Sequence, residues 1–191
     1  TPQGVLKNRV KLDADITFYT KAAYDSVNNY LWFTNQELDE VYYYDFKKNS
    51  TIHVQNDFDI PGQILTDKKG GCWIASREGL VRIYKNQEIQ KYLNRYNIYD
   101  ISVNVLSGDI YFTGNLEGSN HIGYITSDGH RNIISEGEYN YIARIQCVPN
   151  SPQAGLMMVN GRNGEIIRID PEGREVGNSI YISSIEEIIL K

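Results

Sequence analysis

Five carboxylates raise the first question of chemistry. Asp13, Asp15, Asp57, Asp59 and Asp100 each stand shortly before the innermost strand of a repeated unit, an arrangement that would bring them together at an axial metal ion. An Asp in such a place also opens a turn by accepting a backbone hydrogen bond, and that plainer reading is preferred. No metal ligand and no other cofactor is therefore expected. The three histidines fall on a fourth strand (His53), at the start of a third strand (His121) and in a hairpin turn (His130). The chain has no Gly-x-Ser-x-Gly elbow, no P-loop and no zinc-spaced Cys/His set. Gly161-Arg162-Asn163-Gly164 has the spacing of a nucleic-acid-clamping loop, but it joins two strands, which makes it a hairpin turn. No catalytic residue is expected.

Recognition chemistry has a stronger signal. Aligned by the repeat, Phe58, Tyr96 and Tyr139 share one position in the loops that lead into inner strands, with Tyr99, Tyr141 and Tyr181 nearby. The loops between second and third strands emerge at the same end and supply Arg77, Asn115 and Arg162, among others. Gln63 and Arg144 fall on one rung near the axis, placed to read an anionic or carbonyl group. Rigid aromatic area beside Arg and Asn is what a recognition surface uses. Aromatics recurring in a repeat also pack beneath their own loops, and the sequence leaves both readings open. The expected ligand site is Phe58, Gln63, Arg77, Tyr96, Tyr99, Asn115, Tyr139, Tyr141, Arg144 and Arg162, engaging a small molecule, glycan or peptide.

The elements that must position these residues are clearest in Gly62 to Tyr92, where four short strands alternate with three tight turns. The same pattern occurs four times. Aligning the second strands places Trp32, Trp73, Tyr111 and Met157 in register at spacings of 41, 38 and 46 residues, which brackets the period of a β-propeller blade. Hairpin signals such as Ser127-Asp128-Gly129 and Pro171-Glu172-Gly173 join third to fourth strands. The expectation is an all-β propeller with four recognisable four-stranded blades at about 16–55, 62–94, 100–135 and 142–181, either closed by its terminal strands or, as preferred, part of a five- to eight-bladed ring. Lone strands are expected at 4–12 and 182–190. Such ends leave strand edges open, and self-association through them is expected.

Composition agrees. The chain has 191 residues, 15 tyrosines for strands and 16 glycines for turns, enough for one domain with a sizeable core. A net charge of −5 with no Lys/Arg cluster argues against a nucleic-acid partner, and no apolar run is long enough to predict membrane insertion. Two cysteines, Cys72 and Cys147, are too few for a disulfide scaffold and are expected to be buried.

Asp109 to Ile134, DIYFTGNLEGSNHIGYITSDGHRNII, resembles the repeats of streptogramin (virginiamycin B) lyases. Asp67 to Ile83, DKKGGCWIASREGLVRI, is similar to two-component regulator propeller repeats, with a weaker similarity to NHL repeats. The first resemblance implies an enzyme that opens a cyclic depsipeptide by elimination with a His and Mg²⁺. The second implies a sensor domain of a bacterial signalling protein, periplasmic or extracellular, and the third a protein-interaction module. Because no histidine falls in a loop entering an inner strand, the expectation is a non-catalytic binding or sensing domain.

Overall fold

The computed structural model describes residues 9–54, 57–67, 69–137, 142, 144–147, 156–160, 165–170, 172–177 and 180–181. Among the described residues there is no helix, and the strands form four antiparallel four-stranded sheets, each a simple meander. The first sheet runs β1 (Lys21–Asp25), β2 (Tyr30–Asn35), β3 (Glu40–Asp45) and β4 (Ser50–Val54). The second runs β5 (Ile64–Thr66), β6 (Cys72–Ser76), β7 (Gly79–Ile83) and β8 (Ile89–Tyr92). The third comprises β9 (Asn97–Val103), β10 (Ile110–Leu116), β11 (Ser119–Ile125) and β12 (Arg131–Glu136). The fourth comprises β13 (Arg144–Cys147), β14 (Leu156–Asn160), β15 (Glu165–Ile169) and β16 (Ile180–Tyr181). This is the all-β propeller architecture expected from the repeat.

Local chemistry explains the turns. Asp25, Asp45, Asp67, Asn104 and Asp170 each end a strand or follow it directly, and each accepts the backbone N–H two residues on through its side-chain oxygen. That contact reverses the chain without a strand partner. Between sheets the core is continuous: Trp32, Tyr43, Phe58, Ile64 and Ile74 pack the first sheet on the second, and Trp73, Leu80, Tyr96, Ile101 and Phe112 pack the second on the third. Tyr111, Ile122, Ile145 and Ile169 do the same between the third and fourth. Trp32 packs against Tyr43 at 4.9 Å and Tyr111 against Tyr124 at 5.1 Å, with tilted rings, and both pairs lie directly opposite in the strand register. Cross-strand aromatic pairs of this kind stabilise a sheet face. Cys72 and Cys147 are buried free thiols, and burial pushes the Cys147 thiol up to about 12.

The beginning of the chain departs from expectation. Of the strand expected at 4–12, residues 9–12 are irregular and the rest lies outside the described residues, as does 182–190. The first inner strand begins at Lys21 rather than Ile16, because Thr17 to Thr20 form a turn closed by the Thr20 N–H to the Thr17 carbonyl at 3.2 Å. The segment before it is held laterally instead: Asp13 N–H donates to Thr51 Oγ1, and Asn35 Nδ2 donates to the Asp15 carbonyl.

Candidate functional site

The strand registers bring four polar residues to one level, three from inner strands and Gln63 from the position just before β5. Lys21 lies opposite Thr34, Asp100 opposite Thr113 and Arg144 opposite Val159. Gln63 accepts from Ala75 N–H through its carbonyl at 2.9 Å, and Gly62 donates to the Ala75 carbonyl, so Gln63 is the second residue of a bulge opposite Ala75. Thr34, Ala75, Thr113 and Val159 each stand two residues after Trp32, Trp73, Tyr111 and Met157. The four partners therefore form one rung, at the end of the sheets where the chain enters its inner strands.

Asp100 is the buried member. Its Oδ2 accepts the Ile145 N–H at 2.9 Å, and Ser102 Oγ accepts the Cys147 N–H at 2.9 Å, so two side chains of β9 satisfy the open edge of β13. Arg144 Nη1 stands 3.8 Å from Asp100 Oδ1, with half of the arginine side chain in solvent. Burial raises the Asp100 carboxyl above its ordinary 3.8, while the Ile145 hydrogen bond and the charges of Arg144 and Lys21 pull it down without winning. A carboxyl with a raised folded-state pKa holds its proton more tightly in the folded chain. Its stabilising effect is present in acid and is lost as pH rises from 3.8 through the folded value. Asp100→Asn should flatten that portion of the stability curve in urea melts taken from acid to neutral pH; an unchanged slope would show that burial does not dominate.

Two members of the expected aromatic platform lie inside the fold. Phe58 and Tyr96 are 6% and 3% exposed and belong to the packing between successive sheets. Tyr96 meets Phe112 and His121 edge-on, at 6.1 and 5.2 Å. Leu93 and Arg95 both adopt positive φ (54° and 73°), reversing the loop so that Tyr96 turns beneath it. Tyr99 is the unmatched residue of a bulge in β9 and is 37% exposed. Arg77 is exposed, and its backbone N–H bonds the Asp59 carbonyl. Asn115 is occupied by its turn, accepting from Gly118 N–H and donating to Asn120 Oδ1. Tyr139, Tyr141 and Arg162 lie outside the described residues. Of the ten expected site residues, the rung brings together Gln63 and Arg144; Lys21 was missed, and Asp100 was weighed as a metal ligand rather than as their neighbour. The alignment that paired Gln63 with Arg144 held the signal for both.

The described residues do not fit the Mg²⁺ that the lyase resemblance implies. No group of three or more His, Cys, Asp or Glu among them could hold a metal ion, and the buried carboxylate at the rung faces cations and a backbone N–H. Of the histidines, His121 is buried within β11, which starts two residues earlier than expected, and its Nδ1 has no partner among the described residues.

This architecture is that of a β-propeller, and comparison with solved structures agrees. The chain is similar to a streptogramin B lyase structure, with 18% identity and a TM-score of 0.66, covering 86% of this chain and 54% of that one. It is also similar to a catalytically inactive virginiamycin B lyase from Staphylococcus aureus with quinupristin, with 20% identity and a TM-score of 0.67, covering 90% and 59%. A calcium-binding regucalcin from Agrobacterium tumefaciens matches at 14% identity and a TM-score of 0.57, covering 84% and 57%. The chain thus spans little more than half the length of these proteins, and at such identities the likeness shows the fold. Neither a protein-family model nor a curated protein sequence matches it. The expectation that the chain is not an enzyme is corrected by these matches. It rested on where three histidines fall, whereas the same architecture carries a lyase in two of the solved structures.

Proposed function

We propose that this chain forms much of a ligand-binding propeller that takes a small molecule, glycan or peptide at the axial end bearing Lys21, Gln63, Asp100 and Arg144. The observation that carries the reading is the rung itself: four polar side chains stand at one level, with a buried carboxyl beside a half-exposed guanidinium. Lys21 and Arg144 suit a carbonyl or carboxylate, and the Gln63 amide suits either a donor or an acceptor. Amide-rich and polyhydroxylated ligands carry both. In the sensor domain of a bacterial signalling protein this end would be the input side. Screening the full chain against glycan and peptide arrays tests the reading. Arg144→Ala should weaken any hit by about tenfold or more, the cost of one charge-assisted hydrogen bond. A hit that binds the variant equally well would place recognition elsewhere.

A lyase-like activity is a second reading, favoured by the two lyase structures among the matches and by a buried carboxyl whose pKa burial raises above its ordinary value. Incubation with quinupristin tests it. Ring opening by elimination would yield an isomer of unchanged mass, separable by chromatography; unaltered quinupristin after prolonged incubation with divalent ions would remove this reading.

A further inference from the structure

At the opposite end of the sheets, where third strands turn into fourth, the junction between the second and third sheets holds an open groove of about 830 Å³. Its origin is a departure from the repeat at two positions. In the first and third sheets the residue opposite the second-strand aromatic is tyrosine, Tyr43 against Trp32 and Tyr124 against Tyr111. In the second sheet Arg82 stands opposite Trp73. The turn that closes the neighbouring notch differs too. Gln87 and Gly129 occupy the same place in equivalent turns, each donating its N–H to the carbonyl three residues back at 2.8 Å, with φ of 66° and 95°. Gln87 reaches across to donate to Tyr43 Oη at 2.9 Å and fills the notch between the first and second sheets. Gly129 has no side chain to do so, and the corresponding notch beside Tyr92 stays open.

Arg82 is held rigidly in this groove. Its Nη2 donates to Asp67 Oδ2 at 3.1 Å, and its guanidinium stacks over Trp73 and Tyr84 at 5.0 and 4.3 Å. The side chain is over nine-tenths buried, and Nε has no partner among the described residues. Burying an arginine in a strand is costly, and here packing alone is served by tyrosine in the sister sheets. Beside it, Tyr84 and Tyr92 both donate to Gln90 Oε1 at 2.7 Å, and all three side chains line the groove. Lys69 and Lys85 flank the groove without an ion pair to any described residue; of the three carboxylates in the lining, Asp67 and Asp128 are engaged by Arg82 and His130, and Glu88 accepts from Asn86 Nδ2 at 3.4 Å. The three cationic and three acidic side chains of the lining balance, and Lys69, Lys85 and Arg82 bring their donors next to a hydroxyl network.

We propose that this groove binds a sugar acid, its carboxylate taken by Arg82, Lys69 and Lys85 and its hydroxyls by the Tyr84, Gln90 and Tyr92 network. The volume lies within the range of small-molecule sites. The site stands apart from the axial rung and does not depend on the function proposed there. The test is an NMR titration of the full chain with sodium D-glucuronate, D-glucose and sodium sulfate, following the amides of Gly71 and Gly129. Glucuronate should shift both and bind about tenfold or more tightly than either control. The exposed double variant Lys69→Ala/Lys85→Ala should weaken glucuronate by about tenfold, and Arg82→Tyr, which restores the repeat's aromatic, should abolish binding. No shift with glucuronate, equal affinity for glucose or sulfate, or undiminished binding by the lysine variant would each overturn the proposal.

Discussion

Asp67→Ala should destabilise the chain by about 3–5 kcal/mol, because it strands a buried guanidinium. Asp67 and Arg82 are 12% and 8% exposed in their side chains, and their contact at 3.1 Å is shielded on both sides by aromatic rings. The same carboxylate closes its turn by accepting from Lys69 and Gly71 N–H through Oδ1, so the substitution also loosens the backbone. Removing both charged partners should cost less than removing the acid alone. Asp67→Ala/Arg82→Met is therefore expected to be more stable than Asp67→Ala. Urea midpoints of the four chains measure this. Simple additivity of the two single effects would mean that the pair is not coupled.

The second large effect concerns a residue that the sequence places on a binding surface. Tyr96→Ala should cost about 3–5 kcal/mol, the usual penalty for emptying a buried aromatic site. It would open a void against Phe112 and His121 and release Arg131, whose guanidinium lies 6.0 Å from the Tyr96 ring. Arg77→Ala, on the exposed turn of the same end, should change stability by no more than about 0.5 kcal/mol. Thermal or urea melts of the two variants give the comparison, and equal melting points would refute the inward placement of Tyr96.

The contrast shows where sequence is informative in this fold. Turn chemistry is local, so Ser127-Asp128-Gly129 could be read directly as a reversal. Rung positions follow from counting along aligned strands, and Gln63 and Arg144 were found that way. Which way a loop aromatic points is decided by backbone angles. Tyr96 turns inward because Leu93 and Arg95 take left-handed conformations that neither residue type announces. The groove at Arg82 is missed for a different reason. In a strand that alternates, an arginine reads as a solvent-facing residue, yet every residue of β7 is buried. Only comparison across sheets exposes it, through tyrosine at the matching positions and Gln87 where the next turn has Gly129.

Chemical-shift mapping reads out whether ligands engage the rung. The experiment uses the Arg82→Tyr chain, whose opposite groove lacks its guanidinium, titrated with glycans and peptides found to bind the parent. The account predicts that the largest shifts fall on the Lys21, Gln63, Ile145 and Cys147 amides, the last two being those held by Asp100 and Ser102. It predicts further that Arg144→Ala removes them. Shifts confined to residues away from the rung, or shifts at the rung that survive Arg144→Ala unchanged, would contradict it.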